Sequence, residues 1–205
     1  AAPSTTGNPL IDGIVTELPS GATISATNDA TYPWKTEELG PDTAKVSAIR
    51  SGNNAKGSYS DKDKEAENGT TSTVTYTITV PSGNAYNMSF QAIKSRYKGA
   101  PDYFEVQCNG ITVFSKAQNE DIVNTMGLAY LTPMPDAYSF GLNPGVNTVT
   151  FSYHNEPDDF NGGRDCAFIA NLRVEKVQLK QSTFMVNAPS GTTLSCTVNG
   201  TSTPI

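Results

Sequence analysis

The sequence predicts an all-β protein of the sandwich class, and three observations support this prediction. Apolar and polar residues alternate along much of the chain, and in 72–80 Tyr76 and Ile78 share one face while threonines occupy the other. Gly, Pro and Asn separate these runs at roughly ten-residue intervals, which is typical of sandwiches and barrels. Helical periodicity is scarce, and only 117–127 is interpreted as a short helix.

The predicted strands are justified in turn by this alternation and by the turns between them. They cover 72–80, 86–93, both arms of 103–115, 146–153 and 166–177. Asn109-Gly110 separates the arms of the third segment, and an Asn-Gly dipeptide between alternating runs is the strongest short-range hairpin signal. Strict alternation predicts that six side chains point inward, namely Phe104, Val106, Val149, Phe151, Phe168 and Leu172.

The chain divides by pattern into three parts. Residues 1–30 are interpreted as a lead segment, 31–180 as the sandwich and 181–205 as a strand-like tail. Both end segments contain apolar residues at the two-residue spacing of a strand with one buried face, which predicts extended strand segments at both termini.

Charge and composition exclude two classes of partner. The formal net charge is −6 and no basic cluster is denser than "KSRYK" at 94–98, so we expect no nucleic-acid binding. No apolar run approaches the ~20 residues of a membrane span.

The small, polar start "AAPSTTGNP" is typical of what remains after a targeting segment is removed, or of an engineered boundary. Three sequons predict glycosylation, at Asn68, Asn87 and Asn199.

The three cysteines, Cys108, Cys166 and Cys196, each follow the phase of their apolar neighbours. We expect them to be buried as small apolar side chains. One disulfide with a spare thiol is the alternative.

The order of several segments resembles a known family. "TYPWK" (31–35), "VSAIRSGN" (46–53), "YFEVQCNGITVFS" (103–115) and "GGRDCAFIANLRV" (162–174) are similar to the secreted cleaved-adhesin and MAM-like jelly-roll domains of bacterial surface proteins. More distantly, they resemble jelly-roll carbohydrate-binding modules. Over about 31–177, the resemblance implies a two-sheet antiparallel jelly-roll β-sandwich. It also implies an aspartate in the last strand that helps bind a structural calcium ion, where this chain has Ala170-Asn171, whereas Asp165 matches the family position.

An acidic loop precedes the last strand. Glu156, Asp158, Asp159 and Asp165 could supply oxygen ligands to calcium, because this ion takes six to eight of them from flexible loops. A solvated loop without metal is the alternative. Adjacent Asp158 and Asp159 would point apart on an extended segment, which argues against the carboxylate pair of a glycoside hydrolase. His154, the single histidine, has no Gly-x-Ser-x-Gly partner, so we expect no enzymatic activity.

Exposed aromatic side chains with polar neighbours are the groups that recognise sugars. The candidate ligand-binding residues are Trp34, Arg96, Tyr97, Asp102, Tyr103 and Tyr138. A lone Trp is often largely buried, so Trp34 as a core residue is the alternative.

Two functions remain open from the sequence. The first is a non-catalytic extracellular adhesin or carbohydrate-binding module, whose partner is a glycan or cell-surface ligand. The second is a structural subunit of an extracellular filament or surface layer, in which a terminal strand of one copy completes a sheet of another copy. The lead at 9–18 and the tail at 182–205 are the candidate donor strands.

We predict that calcium, if it binds the acidic loop, raises the melting temperature, because a ligand that binds only the folded state stabilises it by mass action. Thermal unfolding in excess calcium and in excess chelator measures the effect. Equal melting temperatures under both conditions would leave the solvated loop as the correct interpretation.

Overall fold

The computed structural model describes residues 6–53, 69–95, 102–116, 123–124, 134–155, 166–178, 189–192, 195–198 and 201–204. Its regular elements are all strands, in two packed sheets and a separate hairpin, which confirms the predicted jelly-roll β-sandwich. Within the described ranges, no helix has the length and apolar character needed to cross a bilayer.

The first sheet, called sheet A, has seven strands. Its main path runs in the order β10 (Tyr138–Leu142), β6 (Tyr86–Ser95), β12 (Cys166–Lys176), β4 (Val46–Arg50) and β3 (Lys35–Leu39). Two short strands pair in parallel beside this path, β1 (Val15–Glu17) with β12 and β9 (Val123–Asn124) with β6. The observation of strand at 123–124 corrects the helix predicted for 117–127, because these two residues pair with the end of β6.

The second sheet, called sheet B, is antiparallel and has five strands. Their order is β2 (Thr23–Asn28), β5 (Thr70–Val80), β11 (Gly145–Asn155), β7 (Tyr103–Cys108) and β8 (Ile111–Lys116). The β7–β8 turn has positive φ at both Asn109 and Gly110, 52° and 78°, which confirms the hairpin expected from this dipeptide. Near the C-terminus, β13 (Ser195–Val198) pairs with β14 (Thr201–Pro204).

Aromatic side chains join the two sheets across the core. Phe90 of sheet A has its ring centroid 5.2 Å from that of Phe151 and 5.4 Å from that of Phe114, both on sheet B. Four of the six predicted inward residues lie in this same core and are fully buried: Phe104, Val106, Val149 and Phe151.

The other two predicted inward residues, Phe168 and Leu172, require a correction. Both are buried, but Leu172 faces the core between the sheets and Phe168 faces a second cluster on the outer side of sheet A. The register of β12 shifts between Ala170 and Arg173, and Asn171 has φ 50°. This β-bulge adds one residue to the strand and so reverses which alternate residues face inward.

The lead segment, which the sequence places outside the sandwich, belongs to it. Leu10, Ile11 and Ile14 are buried in the main core, and the phenol of Tyr76 donates a hydrogen bond of 2.7 Å to the carbonyl of Leu10. Burial raises the pKa of the Tyr76 phenol, so the group remains a donor. Because β1 pairs with β12 and β2 with β5, these N-terminal strands are used within their own chain and give strand donation no support.

Two of the three cysteines lie among the described side chains. Cys108 and Cys166 are buried, which confirms the prediction that they lie in the interior as small apolar side chains. Burial also raises the pKa of the Cys108 thiol, which makes the reactive thiolate less accessible. The side chain of Cys196 lies outside the described residues.

We predict that Asn171→Val lowers the free energy of unfolding by about 1–2 kcal/mol more than Asn171→Gly does. Both variants lose the hydrogen bond from the Asn171 amide to the Gln91 side chain, but only valine is strained at a positive φ. Urea unfolding of both variants measures the difference. Equal stabilities would show that the bulge does not depend on the left-handed residue.

Candidate functional site

Trp34 is a core residue, which corrects its candidacy as a sugar-stacking side chain. Only 2% of its surface is exposed. The Asn28 side chain fixes its backbone, because the amide accepts from Trp34 N at 2.7 Å and donates to the Trp34 carbonyl at 2.9 Å. An indole held inside the sandwich offers no face to a sugar ring.

Asp102 requires the same correction. It is 1% exposed, and its backbone carbonyl accepts a hydrogen bond of 2.8 Å from the ammonium of Lys94, which is also fully buried. This carboxylate therefore belongs to the polar interior at one end of the sandwich and not to a surface that a ligand could reach.

Several predicted residues lie outside the described ranges. They are Arg96, Tyr97, Glu156, Asp158, Asp159 and Asp165, together with the sequons at Asn68 and Asn199. The register pairs Cys166 with Ser95, so the end of β6 that precedes 96–101 and the start of β12 that follows 156–165 meet at one end of sheet A. The calcium site stays a prediction, and the side chains that the structure does describe contain no metal-binding group of three or more His, Cys, Asp or Glu.

Asn87 lies half-buried on β6, and its glycosylation also stays a prediction.

Tyr103 is exposed on the outer face of sheet B, as the sequence predicts for a ligand-binding aromatic residue. It is 37% exposed, and its ring lies 5.0 Å from the His154 ring at an angle of 30°. Nδ1 of His154 is 2.6 Å from the hydroxyl of Thr71. The three side chains come from adjacent strands, because His154 pairs with both Tyr103 and Thr71 in the register.

Tyr138 is the second exposed aromatic residue among the predicted candidates, at 40%. It begins the edge strand β10, and its phenol crosses to sheet B, where it donates a hydrogen bond of 2.7 Å to the carbonyl of Val113. Its ring packs on Phe114 at 4.7 Å between centroids and on Phe90 at 5.9 Å. The ring is therefore held at three points while part of it faces solvent.

A surface depression of about 430 Å³ lies beside this ring, and we call it the Tyr138 depression. It is lined by Thr112, Val113, Phe114, Ser115 and Tyr138. Thr112 and Ser115 are exposed and bring hydroxyl groups beside the aromatic ring. The Thr112 hydroxyl donates to the carboxylate of Glu105 on the neighbouring strand, which fixes its orientation. The volume lies within the range of small-molecule sites.

The register relates Tyr103 to the residues that line the Tyr138 depression. The register places Glu105 opposite Ser115, and Tyr103 precedes Glu105 by two residues on the same face of β7. Tyr103 therefore lies about 7 Å along the strand from the Ser115–Glu105 pair. Ser115 also lines the depression with Tyr138, so this pair lies near both exposed tyrosines that the sequence singled out.

A second depression, of about 390 Å³, has a different character. Asp12, Glu37, Glu38 and Ser47 are among its lining residues, but each carboxylate serves the fold. Asp12 accepts hydrogen bonds from the backbone of Thr6 and Gly7, Glu37 forms an ion pair with buried Arg50, and Glu38 accepts from the Ser47 hydroxyl. We therefore place the candidate site at the Tyr138 depression.

Sequence reasoning missed Thr112, Ser115 and Glu105 as site residues. Alternation within 103–115 could have placed Glu105 on the outer face with Tyr103. The register shift at Val106–Gln107, which brings Thr112 opposite Gln107, has no comparable signal in the sequence.

No protein-family model matches the sequence, and no curated protein matches it. Among solved structures, the chain is similar to the secreted serine protease VesC from Vibrio cholerae, with 13% identity over 85% of this chain and a TM-score of 0.44. The chain spans 27% of the length of that protease.

Two other similar structures are carbohydrate-binding modules. A family 35 module from an environmental isolate has 10% identity, 76% coverage of this chain, 99% coverage of the module and a TM-score of 0.32. TmCBM61, in complex with β-1,4-galactotriose, has 10% identity, covers 82% of this chain and 94% of its own, and has a TM-score of 0.37. Likenesses of this degree carry no information on ligand or activity, so function is inferred below from the chain's own residues.

Asp29 follows Asn28, whose side chain fixes the backbone of Trp34, and the carboxyl group of Asp29 leads to a prediction about pH. Burial opposes ionisation of Asp29, but hydrogen bonds from the backbone of Tyr32, Thr73 and Thr31 outweigh it and hold the pKa of the carboxyl below its ordinary value of 3.8. We predict that Asp29→Asn costs about 1–2 kcal/mol at neutral pH, a modest value because the group is partly exposed.

The pKa of Asp29 is lower in the folded state than in the unfolded state. The ionised carboxyl therefore stabilises the folded state fully above the ordinary pKa of 3.8, and this stabilisation is lost as the pH falls through the folded-state pKa. Urea unfolding of both proteins from pH 7 to pH 2 measures it. The two stabilities should converge at the acidic end, and a gap that stays constant with pH would contradict the role of the charge.

Proposed function

We propose that the chain binds carbohydrate at the Tyr138 depression. The observation that carries this proposal is the exposed Tyr138 ring, held by Phe90, Phe114 and the Val113 carbonyl, beside the exposed hydroxyls of Thr112 and Ser115. A sugar ring has an apolar C–H face and a polar rim. An aromatic surface bordered by hydroxyl groups matches both parts.

The depression is suited to binding because little has to be ordered when a ligand arrives. The phenol is already hydrogen-bonded to Val113, and the Thr112 hydroxyl is already held by Glu105. Ordering interface side chains normally costs about 0.5–1.5 kcal/mol each, so a site that is already ordered keeps more of its contact energy. The Glu105 carboxylate, which accepts one hydrogen bond from Thr112, has further lone pairs that can accept a hydrogen bond from a sugar hydroxyl.

The proposed role is non-catalytic and extracellular, as an adhesin or a carbohydrate-binding module. Exposed rings and hydroxyl groups support binding, and the carboxylate of Glu105 already accepts a hydrogen bond from Thr112, which lines the depression. The segment similarity to adhesin and MAM-like domains supports the same class of role.

We predict that Tyr138→Ala weakens glycan binding at least about tenfold, which corresponds to about 1.4 kcal/mol. Tyr138→Phe keeps the ring and loses only the bond to Val113, so we expect a loss of less than about threefold. A glycan array identifies the ligand, and calorimetry with that glycan measures the affinities.

Thr43→Ala is the matched control, because Thr43 is exposed in a turn outside both sheets and outside the depression. It should bind as the unmodified chain does. Equal affinities of Tyr138→Ala and Thr43→Ala would place the binding site elsewhere. Release of reducing sugar from the bound glycan would overturn the non-catalytic role.

A further inference from the structure

The two sheets differ in what covers their outer faces. On sheet A, a second apolar cluster that includes Leu39, Ile93 and Phe168 is buried on the outer side. Met134 packs against this cluster, and the Gln91 side chain donates to the carbonyl of Pro135 at 2.6 Å. On sheet B, the outward side chains of the first three strands are exposed or half-buried. Sheet B therefore presents the open face.

On β2, β5 and β11, most outward residues of the open face carry a hydroxyl group. Every outward residue of β2 and β5 is Thr or Ser, and so are three of the five on β11. These residues are Thr23, Ser25, Thr27, Thr71, Thr73, Thr75, Thr77, Thr79, Thr148, Thr150 and Ser152. The two remaining outward residues of β11 are Val146 and His154. None of these outward positions carries Lys, Arg, Asp or Glu.

The register aligns the hydroxyl groups in rows across the strands. Thr75 lies between Thr27 and Thr150, and the hydroxyls of Thr75 and Thr150 are 3.3 Å apart. Thr77 lies in the same way between Ser25 and Thr148. Neighbouring strands are about 4.8 Å apart and alternate residues about 6.7 Å apart, so the hydroxyls form a two-dimensional array.

Strand propensity accounts for the threonines but not for the missing charges. An exposed face, and an edge strand such as β2 in particular, commonly carries Lys or Glu, which discourages association. No outward position of β2, β5 or β11 carries a charge, and the two carboxylates that border them, Asp29 beside Thr73 and Glu105 opposite Ser152, each accept a hydrogen bond from a threonine hydroxyl. A ligand that matches an uncharged array of groups, each able to donate and accept, is itself uncharged and rich in hydroxyl groups.

The array is continuous with the Tyr138 depression. The row through Thr75 and Thr150 extends to Gln107 on β7 and to Thr112 on β8, which lines the depression. A parallel row ends at the ring pair of His154 and Tyr103.

We propose that the outer face of sheet B is an extended binding surface for a neutral polysaccharide, which enters the Tyr138 depression at one edge and lies across the hydroxyl rows. The inference rests on the proposed carbohydrate binding and specifies its ligand class as long, uncharged chains.

The test is the double variant Ser25→Lys/Thr148→Lys, which places a charge on each side of Thr77 without setting two lysines directly opposite each other. The matched control is Thr43→Lys/Ser82→Lys, because both residues are exposed outside the sheets. Urea unfolding of both variants verifies that they fold as the unmodified chain does.

The probes are insoluble cellulose, mannan, β-1,3-glucan and starch, the corresponding neutral hexasaccharides, and anionic polygalacturonate. Co-sedimentation measures retention on polymers, and calorimetry measures hexasaccharide affinity. We expect the face variant to lose at least about tenfold in retention on a neutral polymer, because many weak contacts act together, and to keep its hexasaccharide affinity. Tyr138→Ala should lose both.

Equal retention of the face variant and the control variant would overturn the extended surface and leave the Tyr138 site intact. Retention on polygalacturonate alone, or a fall in particle size by light scattering in the face variant only, would also overturn it, the latter because the face would then bind a second copy. Failure of the unmodified chain to bind any neutral polymer or hexasaccharide would refute the proposed function together with the inference.

Discussion

Phe90 lies where the two sheets meet, and its ring touches rings from both of them. Phe104, Phe114 and Phe151 approach it from sheet B, while Tyr138 and Phe140 approach from the neighbouring edge strand. Most of these contacts are edge-to-face, the geometry in which aromatic pairs attract beyond simple burial. The spacing of the sheets and the position of the candidate site both depend on this cluster.

Tyr138 shows how the core extends to the surface. One part of its ring packs on Phe90 and Phe114, its phenol satisfies the Val113 carbonyl, and the remainder is exposed. A binding ring that is also a core ring is rigid, because moving it would break contacts inside the sandwich. The same bond occupies a backbone acceptor on the edge strand β8, where unpaired groups would invite association with another strand.

The two sheets differ in the residues on their outer faces, and this difference separates stability from binding. Apolar side chains are buried on the outer side of sheet A, where Met134 packs against them, so that sheet buries apolar residues on both faces. Sheet B buries one face and leaves a hydroxyl-rich face open, so binding there disturbs no buried contact. In the chain, the acidic residues 156–165 stand between β11 of the open sheet and β12 of the covered one, which accounts for a polar stretch of sequence running directly into a buried strand.

The sequence by itself determined strands β5 to β8, β11 and β12, the hairpin at Asn109-Gly110 and the two faces of β5, because alternation and turn chemistry act between near neighbours. It also singled out Tyr103 and Tyr138, though not Thr112 or Ser115 beside them. Only the tertiary structure decided the burial of Trp34 and Asp102, the opposite faces of Phe168 and Leu172, and the alignment of the hydroxyl rows. These features depend on a β-bulge, on strand register and on contacts between residues far apart in the chain, and local alternation contains no information about any of the three.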